Sequence, residues 1–400
     1  MPLAAELIGA IAGLIVIGSL GFGFVRWLTR SAPTDETNAL LRQIVENTTP
    51  RGATPPSTEA LAEPANDRTR RLLREAISLQ NQNREEEAIQ RLLTAYDMDL
   101  PAKAKAQLHL LAGNGYARLS RLIEAESNYR QALAAAEQAG DEKVRAAAVG
   151  SLGIVFSNRG DLDNAEEQLK KAPAIYEAIG NRLSQASALG NLGVVYARRG
   201  DFDKAEEHLS KALSIHEEIG NRPGQASSLA NLAVVYKDRR DLDKAEDHNI
   251  RALAIHEEIG NRLGQANALN HLGMVHKHRG NLDEAEQYLS RALAIHAEIG
   301  NRHGQAGDLN GLGNVYLQRG DPDQAEANFR KALAIHEEIG DLLGQATALG
   351  NLGVVYGKRG ASSKAKRYYQ RALDLFIQVG ATQEIATTRQ NIEGLGAITQ

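Results

Sequence analysis

Residues 181–220 read NRLSQASALGNLGVVYARRGDFDKAEEHLSKALSIHEEIG. Two apolar stripes of helical period lie in this stretch. Ala186, Leu189, Leu192, Gly193 and Tyr196 step by three, three, one and three residues, which puts them on one face of a helix. Ala205, Leu209, Ala212, Leu213 and Ile215 form a second stripe, and that half ends at Gly220. Between the stripes Gly200 supplies a left-handed stop and Asp201 an amino-terminal cap, so the stretch spells a helical hairpin. Small residues at Gly193, Ala205 and Ala212 allow the paired helices to approach closely.

The same wording recurs along the chain. Residues 341–380 read DLLGQATALGNLGVVYGKRGASSKAKRYYQRALDLFIQVG, and glycine falls at 140, 180, 220, 260, 300, 340 and 380. Alanine occupies 165, 205, 245, 285, 325 and 365, and again 172, 212, 252, 292, 332 and 372. Leu or Val stands at 149, 189, 229, 269, 309 and 349. Tyr196, Tyr236, Tyr316 and Tyr356 share a column with Tyr116, Phe156 and His276. Neither helix of a unit can bury its stripe alone, so neighbouring units must stack. Pro322, just after Asp321, fits the first position of a helix, where its missing N–H costs nothing. Pro173 falls inside a second helix and predicts a bend or a fresh segment there, since an interior proline costs about 3 kcal/mol.

Leu192, Gly193, Tyr196, Ala205 and Ala212 carry the L-G-x-x-Y, A and A-x-x pattern that resembles the tetratricopeptide repeat family. The usual unit there has about 34 residues, whereas this one has forty. The longer unit, with N-L-G-x-x-Y and K-A-L-x-I, is similar to that of Pins-type polarity adaptors and, less closely, kinesin light chains. The resemblance covers seven units over 101–380. It implies an all-α fold, a right-handed α-solenoid of helical hairpins, and a docking platform for peptides and proteins. Residues 67–100 carry a degenerate hairpin suited to an amino-terminal cap, and 381–400 align with one further helix, a carboxyl-terminal cap.

Ahead of the array the text changes twice. Residues 31–66 have no period and hold Pro33, Pro50, Pro55, Pro56 and Pro64, the composition of a flexible linker. Residues 1–30 read as a membrane anchor, with a cleaved signal peptide or a buried helix as the competing readings: Leu7 to Val25 carry no charge and suffice to cross roughly 30 Å of hydrocarbon. Arg26, Trp27 and Arg30 follow directly, and cations on that side predict a single-pass protein with its repeats in the cytoplasm. Gly9 and Gly13 would admit a second membrane helix.

Composition fits a helical array: 42% hydrophobic residues but only 4% aromatic, an Ala- and Leu-built core. Forty-six basic against fifty acidic residues give a net charge of −4, with no footprint for nucleic acid. Absence of cysteine excludes disulfides, thiolate catalysis and cysteine-held zinc. There is no G-x-x-x-x-G-K-[ST] loop or G-x-S-x-G elbow. Acidic pairs such as Glu166–Glu167 and Glu257–Glu258 read as solvated surface, so no enzyme and no cofactor are expected. His216, His256, His296 and His336 recur once per unit, which predicts a column of packing residues and not a converging metal site. His271, His276 and His278 are the weaker metal candidate.

What remains is a surface on the first helices, a second stripe spaced four, three, four. It runs Ser187, Asn191, Val194, Arg198, then Ser227, Asn231, Val234, Asp238, then Asn267, His271, Met274, His278. It continues through Gly307, Gly311, Asn314, Gln318 and through Thr347, Asn351, Val354, Lys358. The resemblance implies that this side lines the concave groove, where amides can serve an extended peptide as donor and acceptor at once. Arg198, Lys237, Lys277 and Lys358 would add charge recognition. The expected partner is therefore a protein or peptide, held by a membrane-anchored scaffold; the alternative is a self-associating assembly factor. A second role for Asn191, Asn231 and Asn351, tying helix to helix, is open at this point. Glu206 and Glu286 lie on the convex side, off the stripe, and changing them to Gln is expected to leave partner binding unaltered.

Overall fold

The computed structural model describes residues 67–82, 84–95 and 100–397. The apolar run at 7–25 and the linker at 31–66 lie outside the described residues. Among the described residues no helix is long and apolar enough to cross a membrane.

The described chain is helical throughout. In order come α1 (Asp67–Asn81), α2 (Glu85–Leu93), α3 (Ala102–Arg118), α4 (Leu122–Ala139), α5 (Glu142–Asn158) and α6 (Leu162–Ala178). Then follow α7 (Arg182–Arg199), α8 (Phe202–Glu218), α9 (Arg222–Asp238), α10 (Leu242–Glu258), α11 (Arg262–Arg279) and α12 (Leu282–Glu298). The last are α13 (Arg302–Arg319), α14 (Pro322–Ile339), α15 (Leu342–Lys358), α16 (Ser362–Val379) and α17 (Thr382–Ala397). They form an all-α solenoid of repeated hairpins in two compact units, residues 67–241 and 242–397. Inside each unit a helix packs mainly on its neighbours in sequence, and first helices also touch, as α7 does α9 and α11 does α13.

Local chemistry sets the helix ends. The side chains of Asn181, Asp201, Asn221, Asn261, Asn301, Asp321 and Asp341 each accept the backbone N–H three residues on. Left-handed glycines close the preceding helices, Gly200 at φ +78° among them. At Arg240 the same turn is made without glycine, at φ +67°. Helix α6 does not restart at Pro173: it continues from Leu162 to Ala178. Leu169 and Ala172 are wholly buried there, so packing outweighs the lost N–H.

The core is a ladder of small residues facing large ones. A Cβ at Gly193 would stand 2.7 Å from Leu209 Cγ, and one at Gly273 equally close to Leu289. Gly353 faces the Tyr369 ring in the same way. The glycine of the L-G-x-x-Y pattern is thus the notch that receives the bulky residue of the second helix. Ala186, Leu192, Ala205, Leu209 and Ala212 all have 2% exposure or less, as their spacing predicts.

Candidate functional site

Each repeat is fastened to the next by an ion network that links a first helix to the second helix before it. Arg239 Nη1 donates to Glu206 Oε2 at 2.5 Å, its Nη2 pairs with Asp203, and Tyr236 donates its hydroxyl to Glu206 Oε1 at 2.6 Å. The same sentence is written by Arg319, Tyr316, Glu286 and Asp283, and by Arg359, Tyr356, Glu326 and Asp323. Glu166 accepts from Tyr196 at 3.0 Å and pairs with Arg199 at 3.2 Å. Even α2 joins, with Glu85 accepting from Arg118 at 2.7 Å. Burial alone would raise Glu326, but hydrogen bonds from Tyr356, Arg359 and Arg330 outweigh it and hold that carboxyl at about 2. Burial and the Glu206 carboxylate push Tyr236 up to about 12.

This overturns one expectation: Glu166 is not solvated surface, and together with Glu206 and Glu286 it holds neighbouring repeats together. The missed signal is an arginine 33 residues after a glutamate and 36 after an aspartate, repeated down the chain. His276 takes the tyrosine's place in one repeat, with Nε2 3.2 Å from Glu246 Oε1 and its ring stacked on Tyr288 at 5.1 Å. Among the described residues His276 is not grouped with His271 or His278 as a set of metal ligands.

The stripe on the first helices has the opposite character. Asn191, Asn231, Asn267, His271, Asn314 and Asn351 are all half-buried, and Arg198, Gln318 and Lys358 are exposed at its edge. Lys237 and Lys277 are half-buried, with Lys237 Nζ 3.2 Å from Asp238. Arg198 differs from the expectation, because its guanidinium donates to the Ser157 carbonyl at 2.6 Å and ties α7 to α5. The hydroxyls of Ser187, Ser227 and Thr347 are spent on carbonyls of their own helices. Gly311 is buried against Leu289 and breaks the row of amides.

The histidine column packs as expected in its first members. The His216 ring lies where a Cβ at Gly224 would be, and His256 does the same at Gly264. Asn221 and Asn261 place amide nitrogens 3.0 and 3.2 Å from the respective Nδ1 atoms. Burial lowers both histidines to about 4. His296 instead meets a carboxylate, Asp308, at 2.6 Å, both wholly buried, and Asn270 donates to the same group at 2.6 Å. Burial raises Asp308. His336 departs further: it converges with His303 and Asp341, which the expectation of a non-converging column did not foresee.

The sequence profile of the tetratricopeptide repeat family matches residues 105–178, 184–258, 226–298, 264–338 and 305–378. The chain belongs to the tetratricopeptide repeat family. No curated protein matches it in sequence. Among solved structures it is similar to the apo form of RapI, with 17% identity, TM-score 0.59, and coverage of 69% of this chain and 99% of that one. A Rap protein complexed with competence and sporulation factor is similar at 16% identity and TM-score 0.54, covering 83% and 98%. The signal transduction ATPase with numerous domains from Pyrococcus horikoshii, which has a tetratricopeptide repeat sensor, aligns at 16% identity and TM-score 0.53, covering 92% and 65%. At these identities the likeness is one of fold.

Proposed function

We propose that this tetratricopeptide repeat array is a docking platform for an extended peptide or protein segment, seated along the amide stripe of the first helices. The observation that carries the reading is a division of labour. One glutamate of each of four second helices is committed to an arginine of the first helix that follows it. Asn191, Asn231 and Asn351 hold the same repeat position and are half-exposed, with the half-exposed Asn314 three residues on from that position in its own repeat. Such a row suits a backbone that presents a donor and an acceptor at each residue. A Rap protein of similar fold is complexed with competence and sporulation factor, which supports a fold of this kind serving as a docking platform. The forty-residue unit's likeness to Pins-type adaptors and kinesin light chains points the same way.

The apolar run at 7–25 with Arg26 and Arg30 beyond it supports an anchor that holds the platform to a membrane, repeats on the cytoplasmic side. Photo-crosslinking in native membranes tests the docking surface. A crosslinker at 231 or 351 should capture the same protein, and one at the exposed Glu167 should not. Equal capture from Glu167 would place the partner on the second helices and reject the stripe.

A further inference from the structure

Where the repeat 301–340 meets the repeat 341–380, two residues leave the pattern of most sister repeats at the same spot. Position 303 is His where the sisters hold Leu183, Pro223, Leu263 and Leu343. Position 341 is Asp where four sister repeats hold Asn181, Asn221, Asn261 and Asn301; Asp141 is the other acid in that column, and no histidine stands at 143 beside it. Both changes replace a residue with a metal-ligating one, and both face the repeat's own histidine, His336. One ligand atom from each of His303, His336 and Asp341 lies within 4.8 Å of the others. Asp341 Oδ2 is 2.9 Å from His336 Nδ1 and 3.5 Å from His303 Nδ1. Ligand atoms about 2.0–2.1 Å from a tetrahedral ion stand about 3.3 Å apart, a spacing these two distances bracket.

The hydrogen bonding around the cluster asks for a cation. Asp341 Oδ1 is used as the cap of α15, accepting the Gly344 N–H at 2.9 Å, which leaves Oδ2 for the histidines. His336 has 3% exposure, and neither its Nδ1 nor Asp341 Oδ2 makes a hydrogen bond of good geometry. On its far side His336 Nε2 stands 3.4 Å from the Asn310 amide nitrogen, while Asn310 Oδ1 is buried without a partner. Turning that amide over, an exchange of atoms that look alike, lets Nε2–H donate to Oδ1 and satisfies it. The tautomer so fixed leaves a lone pair on Nδ1 directed at a carboxylate, an arrangement that repels unless a metal ion or a further proton lies between them. A metal-ligating histidine usually donates its other ring N–H to an outer oxygen acceptor, the place Asn310 Oδ1 would take here. Gly344 completes the cradle, because a Cβ there would fall on the His336 ring. His303 has 31% side-chain exposure, so one side of the cluster is open to an entering ion and a water.

We propose that His303, His336 and Asp341 bind one divalent transition-metal ion, zinc by ligand type, with water as fourth ligand. The site joins α13 to the turn between α14 and α15, so its loading would stiffen this repeat.

The test titrates the purified, metal-stripped full-length protein with Co2+ and follows the visible ligand-field absorption, then displaces it with Zn2+. One equivalent of Co2+ should develop four-coordinate bands that Zn2+ abolishes. His303→Leu and Asp341→Asn restore what the sister repeats hold, so both should keep the helical circular dichroism of the wild type. Even an outer-shell change typically costs about 10–100-fold, so each variant should bind at least about 100-fold more weakly. Zn2+ should raise the melting midpoint of the wild type and not of the variants. Absence of cobalt bands in the wild type would overturn the proposal and assign His336 and Asp341 to a proton-bridged pair. Wild-type affinity in both variants would overturn it equally, by placing the metal elsewhere.

Discussion

Arg240 makes a left-handed turn that the neighbouring repeats entrust to glycine at 200, 280, 320 and 360. An L side chain there suffers a clash of about 1–2 kcal/mol between Cβ and the following carbonyl, partly offset by the greater freedom of glycine in the unfolded chain. Arg240→Gly should therefore raise stability by about 0.5–1 kcal/mol, read as a higher midpoint in urea with unchanged slope. The histidine column gives a second prediction at this scale. His216 and His256 have folded values near 4, below the ordinary 6.5, so the unfolded chain binds more protons between those limits. Their contribution is whole above pH 6.5 and is lost as pH falls toward 4, by about 1–3 kcal/mol each. Melting midpoints measured across that window should fall with pH, and His256→Phe, the residue type found at 376, should flatten the slope. The histidine at 336 was legible as a repeat position, but its partners were not. His303 lies 33 residues before it, and only the folded hairpin brings the two ring centroids to 6.0 Å.

At the scale of the helix, periodicity told most of the story and surface charge told none of it. The stripe at 186, 189, 192, 193 and 196 names the buried face of α7 because burial is what a 3.6-residue period encodes. Glu166 read as ordinary solvated surface, and nothing marked Glu206, its counterpart one repeat on, because a glutamate on a polar helix face carries no sign of what lies opposite. The structure sets Tyr236 and Arg239 against Glu206. Glu206→Gln should cost about 1 kcal/mol, and Arg239→Ala a similar amount, because each leaves a partly buried partner less well satisfied. The double variant should cost less than the sum, as expected for groups in one network. Additive losses in denaturant unfolding would show that the staple does not act as a unit. Pro173 carries the converse lesson: its local penalty is real, yet the buried flank of α6 decides the outcome.

At the scale of the whole chain, repetition made the fold readable before any single contact was known. A unit that cannot bury its own stripes must stack, and the family profile runs through nearly all of 105–378. The binding surface was less legible, because the same asparagine can face a partner or a neighbouring helix. Structure removed Arg198 from the stripe's free charges by tying it to Ser157, and left Asn191, Asn231 and Asn351 half-exposed. The most direct measurement is the affinity of the crosslinked partner for the wild type and for the Asn191→Ala, Asn231→Ala, Asn351→Ala variant, with circular dichroism on both. Docking along the stripe predicts intact helicity with binding weakened by about 0.5–1.5 kcal/mol for each amide that contacts the partner. Intact helicity with unchanged affinity would contradict it.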